Sequence, residues 1–250
     1  RVVVLNVLAM GMEEQSHEAY NRMTMEGMQW SGAKVGALRS TMMEEEHWMD
    51  YIFPVLRYHS RWKELEQQDF EYYFQREQVS HNGYYMRMDT IAAEAFPRVR
   101  PLAKYQFCDQ SYEYLERMRV LCEENNSELI LMKAPSLYPH WYPEWEAQIV
   151  AYAEQHDLLY INFLDHLDPI GLDFTLYTYD GGLHLNTYGA EKLSRYLGGL
   201  LKEHCDLMDY REHPEIASRW SDKVRFYDEM KQEQLNELEK YGSLIRFQMD

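Results

Sequence analysis

Three apolar runs along the chain have the pattern of buried strands. Residues 1–8 (RVVVLNVL), 128–133 (ELILMK) and 158–163 (LLYINF) hold aliphatic and β-branched side chains with little alternation between apolar and polar positions. Strands covered on both faces show this continuous pattern, whereas half-exposed strands alternate. The sequence therefore predicts a mainly parallel sheet, and we expect residues 1–8 to form a central strand of it.

Helical periodicity separates and follows the second and third runs. Apolar positions recur at helical spacing over residues 109–125, 144–156 and 187–204. The alternation of strand and helix predicts an α/β fold. Charged residues at helical spacing over residues 214–240 predict a further, peripheral helix at the C-terminal end.

The segment between the first and second runs has no strand pattern until its end. Residues 13–62 predict two or three helices, broken near Trp30 and Pro54, and residues 65–76 predict another. Residues 80–104 contain two prolines and predict a hairpin or an irregular insertion over one end of the sheet.

Charge and composition narrow the classes of partner. The formal net charge of −17 repels nucleic-acid phosphates and anionic lipid, so neutral or cationic ligands are favoured and nucleic acid is not expected as a partner. The longest apolar stretch, residues 2–10, is interrupted by Asn6 and is too short to span a bilayer.

Cysteine and histidine spacing gives no indication of a metal or cofactor. The three cysteines are widely spaced, and none of the ten histidines forms an HExxH pair, so we expect ordinary buried thiols, no metal site and no cofactor. An extracytoplasmic location, a membrane tether through a segment upstream of residue 1 and a cytoplasmic location all stay open, as does the oligomeric state.

The turn before residues 187–204 holds the residue types of acid–base chemistry. Ligands of open parallel sheets bind beyond the carboxyl ends of the strands, where this turn is expected to lie. Its sequence, YDGGLHLN, places Asp180 four residues before His184, with two glycines between them. An esterase needs an imidazole to move protons and a carboxylate to orient that imidazole. In the alternative reading, Asn186 or Thr187 caps the helix and His184 lies in an ordinary turn.

The segment HLNTYGAEKLSRYLGGLL resembles the last motif of SGNH/GDSL-type hydrolases, where Asp and His precede a small-residue turn and a helix. The resemblance extends more loosely over LILMKAPSLYPHWYPEW, LLYINF and RVVVLNVL, as in the cell-envelope branch with DltD-like and AlgX/AlgJ-like proteins. It implies a three-layer α/β/α fold of SGNH/flavodoxin-like type over residues 1–204, with an insertion at about 13–104 and a helical extension at 205–250.

The resemblance makes His184 the general base and Asp180 its orienting acid. Family members separate the two by two residues, whereas three intervene here, so Asp173 is kept as an alternative carboxylate. No Gly-Asp-Ser or Gly-Ser-Ser turn is present in the chain, and the oxyanion-hole motifs are not recognisable. The serine nucleophile is therefore expected upstream of residue 1, and this chain alone is expected to lack it.

Three residues of the loop after the second run are candidate substrate contacts. Lys133 would bind an anionic group or steady a carboxylate, or else be a snorkelling lysine at a strand end. Ser136 is a turn-forming serine or, as the lesser alternative, a nucleophile. Trp141 belongs to an aromatic group that forms a platform for a sugar ring or acyl chain, or a lid packed on the core.

These features favour an esterase or O-acyltransferase domain that acts on a small-molecule or carbohydrate ester, including esters of the cell envelope. Both reactions pass through an acyl-serine and differ only in whether water or a hydroxyl group attacks it. The alternative is a non-catalytic binding or structural domain that keeps the fold without the nucleophile.

Overall fold

The computed structural model describes the chain over residues 1–11, 18–25, 28–53, 63–64, 66–67, 83–93 and 98–245. The chain divides into two compact units, one formed by Arg1–Met12 with Val79–Asp250 and the other by Glu13–Gln78. The sheet and the Asp180–His184 turn both belong to the first unit.

The sheet has three parallel strands in the order β1 (Val2–Asn6), β2 (Glu128–Lys133) and β3 (Leu159–Asn162). Val4 pairs with Ile130 in the register of β1 and β2. The chain is therefore an α/β protein, as predicted. The central position expected for residues 1–8 belongs to β2 in the described sheet, because β1 has β2 as its only strand partner there.

The unit Glu13–Gln78 holds three described helices, α1 (Glu18–Met25), α2 (Gly32–Thr41) and α3 (Trp48–Ile52). The Ser31 hydroxyl accepts the backbone N–H of Lys34 and caps the start of α2. Met25, Leu38 and Tyr51 are buried together and form the small core of this unit.

The helices of the first unit follow the predicted pattern closely. They are α4 (Asp109–Glu124), α5 (Pro143–Gln155), α6 (Leu167–Ile170), α7 (Thr187–His204) and α8 (Pro214–Tyr241). The Asn186 side chain caps α7 by accepting the N–H of Gly189 at 3.1 Å. No described helix has an apolar stretch long enough to cross a membrane.

The two faces of β2 are buried in different clusters, which explains its unbroken apolar sequence. Leu129 and Leu131 belong to a cluster with Ile149 of α5, and all three are at most 3% exposed. Ile130 belongs to a second cluster, against which Leu197 of α7 packs. Alternate residues of a strand point to opposite faces, so an apolar side chain is needed at every position.

Two of the predicted segments lie partly or wholly outside the described residues. The helix expected over residues 65–76 falls there almost entirely. Within residues 80–104, the described parts 83–93 and 98–104 have neither helix nor strand, in agreement with an irregular insertion.

Candidate active site

The side chains of His184 and Asp180 are in direct contact. His184 Nδ1 lies 2.6 Å from Asp180 Oδ2, and the Asp180 Oδ1 atom accepts the backbone N–H groups of Leu183 at 3.1 Å and His184 at 2.8 Å. The carboxylate is therefore held by the backbone with one oxygen and by the ring with the other. Because an ionised carboxylate can only accept, Nδ1 is the donor and Nε2 is left as the basic nitrogen.

Glycine at position 182 allows this contact across three intervening residues. Gly182 has a φ of +111°, and a Cβ at this position would lie 2.8 Å from Leu137 Cδ1. Its carbonyl accepts the N–H of Leu137 at 2.8 Å. The turn is thus attached to the loop that follows β2, at the carboxyl end of the sheet.

The imidazole ring of His184 is also held by stacking. The Tyr179 ring lies parallel to it within 6°, with centroids 5.6 Å apart, and the Arg87 guanidinium lies 4.9 Å from the Tyr179 centroid. Arg87 is fixed in turn by a two-point ion pair with Asp89, whose Oδ1 is 2.8 Å from Arg87 Nε. Burial, and after it the Asp180 carboxylate, raise the pKa of the Tyr179 phenol, so this ring is neutral at pH 7.

The His184 side chain is more than half exposed. The side chain of His184 is 59% exposed, and that of Asp180 is 27% exposed. Among the described residues, the hydrogen bonds of His184 go to Asp180 alone. An oriented imidazole with a free Nε2 can take a proton from a hydroxyl group and return it.

The irregular segment of residues 84–93, called the strap here, runs alongside the turn that holds Asp180 and His184. The Ile91 N–H donates to Thr178 O at 3.0 Å, and Ile91 O accepts the N–H of Gly181 at 3.1 Å. Further along, Arg87 O accepts the N–H of Thr187 at 2.8 Å. The strap therefore binds the turn on both sides of His184.

Asn6 lies at the carboxyl end of β1, facing the loop after β2. Its Oδ1 accepts the backbone N–H groups of Leu8 at 3.3 Å and Ala134 at 3.2 Å, which fixes the orientation of the amide. Its Nδ2 group has no hydrogen-bond acceptor among the described residues. The sequence places Asn6 inside the first apolar run, and the structure makes it the last residue of β1.

Lys133 is not placed to contact a substrate. It is completely buried, and its Nζ donates to the carbonyl oxygens of Ala134 at 2.6 Å and Ser136 at 3.3 Å. Burial lowers the pKa of Lys133 to about 8, while the Glu146 carboxylate acts in the opposite direction. The expectations of an exposed anion contact and of a snorkelling lysine are therefore wrong, because the buried ammonium group binds the loop to the strand end. Of the expected roles, only the interaction with a carboxylate has a counterpart, which is the internal residue Glu146.

Ser136 and Trp141 likewise have internal partners. Ser136 is 4% exposed and its Oγ donates to Tyr138 O at 2.6 Å, which is the turn-forming role and not that of a nucleophile. Trp141 is 9% exposed, and its Nε1 donates to Glu146 Oε2 at 2.5 Å. Neither side chain presents a face to a substrate, so their assignment as substrate contacts is not kept.

Asp173 is not the carboxylate that contacts His184. Its Oδ1 accepts the backbone N–H and the hydroxyl of Thr175, both at 2.8 Å. These hydrogen bonds lower the pKa of the Asp173 carboxyl group. Asp180 therefore fills the orienting position despite the longer spacing.

The sequence pattern missed Tyr179, which stacks on His184, and Arg87, which lies over Tyr179. Tyr179 precedes Asp180 directly, but stacking on an imidazole has no sequence signature, and Arg87 is distant along the chain. In the described ranges, no three His, Cys, Asp or Glu side chains are grouped as a metal ion would require. Comparison of the chain with protein-family models, with curated proteins and with solved structures finds no match.

Proposed function

We propose that residues 1–204 form a three-layer α/β/α domain of SGNH-hydrolase type that acts as an esterase or O-acyltransferase. The separate burial of the two faces of β2, with α4 and α5 on one side and α7 on the other, supports the layered arrangement. The observation that carries the function is the contact of His184 Nδ1 with Asp180 in a side chain that is 59% exposed.

In the proposed reaction, His184 Nε2 takes the proton of a serine hydroxyl as the serine oxygen attacks the ester carbonyl carbon. Asp180 holds the Nδ1–H and stabilises the imidazolium that forms. The same proton is then given to the leaving alkoxide as the tetrahedral intermediate collapses to an acyl-serine. Water or a sugar hydroxyl, deprotonated by His184, releases the acyl group in the second half of the reaction.

The nucleophile is proposed to lie outside the described residues, in a serine turn that precedes β1 in the chain. In the described sheet β1 pairs on one side only, so a further parallel strand can pair with its other side and would end at the same sheet edge as Asn6. The Nδ2 group of Asn6, left free by the two backbone contacts of its Oδ1, is then a donor for the oxyanion.

The proposed substrates are carbohydrate esters, including esters of cell-envelope polymers. Tyr85 is 57% exposed and lies 6.3 Å from the Tyr179 ring, so an apolar face is available near His184 for a sugar ring or an acyl chain. The net charge of −17 favours neutral or cationic substrates over phosphate-rich polymers.

The test is ester hydrolysis by the protein encoded by the complete reading frame, with p-nitrophenyl acetate and acetylated monosaccharides as substrates. We expect His184→Ala to lower kcat at least about 1,000-fold, because the proton transfer loses its base. His166→Ala is the matched control, since His166 Nδ1 is bonded to Tyr196 and not to the catalytic turn. Equal activity of the wild type and His184→Ala would contradict the proposal and favour a non-catalytic domain.

A further inference from the structure

We propose that Gln234 of helix α8 is a positioning residue, which fixes the catalytic turn through two hydrogen bonds to the backbone of the strap. This inference rests on the proposed function for its catalytic meaning. It makes the C-terminal helix part of the site's framework, although α8 does not touch His184 in the described contacts.

Gln234 is 1% exposed, and both ends of its amide bind the strap backbone. Its Nε2 donates to Met86 O at 3.0 Å, and its Oε1 accepts the N–H of Met88 at 3.0 Å. This two-point contact imitates the pairing of a neighbouring strand. If the amide were lost, a buried carbonyl and a buried N–H would have no partner, at a cost of about 1–3 kcal/mol for each group.

Arg87 lies between Met86 and Met88 and connects the strap to the turn. Met86 and Met88 are each 2% exposed, whereas the Arg87 side chain turns toward Tyr179. The carbonyl of Arg87 accepts the N–H of Thr187 at 2.8 Å and its hydroxyl at 3.0 Å. One residue of the strap thus binds the end of the turn through its backbone and the stacked Tyr179 through its side chain.

Helix α8 does not depend on Gln234 for its own position. Glu191 Oε1 of α7 accepts the hydroxyl of Tyr227 at 2.8 Å and the ammonium group of Lys231 at 2.5 Å. Since α7 begins directly after the turn, α8 is attached to the element that the turn leads into. Loss of the Gln234 amide would therefore release the strap from α8 while leaving α8 docked on α7.

The experiment compares Gln234→Met, which keeps the side-chain volume and removes both hydrogen bonds, with Gln234→Ala. Gln232→Ala is the matched control, because Gln232 is exposed and bonded only to Asn236 among the described residues. Amide hydrogen exchange is measured at Ile91, Gly181 and Thr187, the three N–H groups shared between strap and turn. The His184 Nδ1–H resonance, assigned with His184→Gln, reports the contact with Asp180.

We expect Gln234→Met to speed exchange at these three amides about 10- to 100-fold and to broaden or remove the Nδ1–H resonance, with no such change in Gln232→Ala. Amides of β2 should keep their wild-type exchange rates. In the complete protein, kcat should fall about 10- to 100-fold with little change in KM, because a displaced base affects the chemical step.

Wild-type exchange at the three amides in Gln234→Met and Gln234→Ala would overturn the proposal. So would an equal acceleration at the β2 amides, because the effect would then be a general loss of stability. If the exchange result holds but the complete protein hydrolyses no ester, the positioning role stands and the proposed function fails.

Discussion

The two oxygen atoms of the Asp180 carboxylate have different partners, so Asp180 is held by the backbone while it orients the His184 ring. One oxygen is fixed by two backbone N–H groups and the other contacts His184 Nδ1. The ring is therefore held in one orientation, and its tautomer is set by the carboxylate. Orientation of this kind avoids reorganisation during the reaction.

Asp180→Asn should lower kcat of the complete protein by about 1,000- to 10,000-fold, because an amide can donate to Nδ1 and stabilise the wrong tautomer. Steady-state ester hydrolysis measures the effect. Asp173→Asn is the control, since Asp173 accepts the backbone N–H of Thr175 and does not contact the His184 ring. A similar loss in both variants would remove Asp180 from its assigned role.

Lys133 gives a second prediction at the residue scale, on stability. Its pKa is lowered to about 8 from an ordinary 10.5, so between these values the folded chain binds fewer protons than the unfolded chain. The contribution of Lys133 to the free energy of unfolding should therefore rise with pH across this interval, by as much as roughly 3 kcal/mol.

Urea unfolding of the wild type and of Lys133→Met at several pH values between 7 and 10 isolates this contribution from the tyrosines. The difference, wild type minus variant, should increase with pH. A difference that is constant across this range would show that Lys133 keeps its ordinary pKa in the folded chain.

Some elements of the fold can be predicted from their own sequence, whereas others depend on partners that are distant along the chain. The bounds of β2 and α7 agree with the apolar runs and periodicity over residues 128–133 and 187–204, because both faces of β2 and one face of α7 are apolar over their length. The strap has no such pattern, because it is held by hydrogen bonds to distant residues, from Phe174, which binds Ala93, to Gln234, 148 positions from Met86. Local periodicity contains no information about such partners.

The same limit applies to the candidate site. The pairing of Asp180 with His184 was predictable because both lie in one short turn and resemble a known motif. The burial of Lys133 was not, since the sequence shows a charged residue at a strand end and not the two carbonyl groups that bind its Nζ. The loop that follows β2 folds back over the strand end and excludes water from that lysine.

Gly181 and Gly182, in the turn between Asp180 and His184, differ in the space that a side chain would have. Gly182→Ala would add a Cβ 2.8 Å from Leu137 at a φ of +111°, whereas Gly181→Ala, at a φ of +76°, meets no atom closer than 4.0 Å. Gly182→Ala should lower the free energy of unfolding by about 2–4 kcal/mol, and Gly181→Ala by about 1 kcal/mol. Chemical denaturation measures both, and equal effects would contradict the close approach of the turn to the loop after β2.

At the scale of the whole molecule, the site depends on segments that are far apart in sequence. The end of β1, the loop after β2, the strap, the catalytic turn and α8 all belong to the unit formed by Arg1–Met12 and Val79–Asp250. Hydrogen bonds connect Asn6 with Ala134, Leu137 with Gly182, and the strap with Gln234. The turn that holds Asp180 and His184 is therefore fixed by hydrogen bonds to other segments of this unit.

The most direct measurement of the central claim is covalent labelling of the complete protein with a fluorophosphonate, followed by mass analysis of the adduct. Such reagents react with a serine whose hydroxyl is activated by a neighbouring base. We expect a single labelled serine in the wild type and labelling at least about 1,000-fold slower in His184→Ala. Labelling at an equal rate in both proteins, or no labelled serine in the wild type, would contradict it.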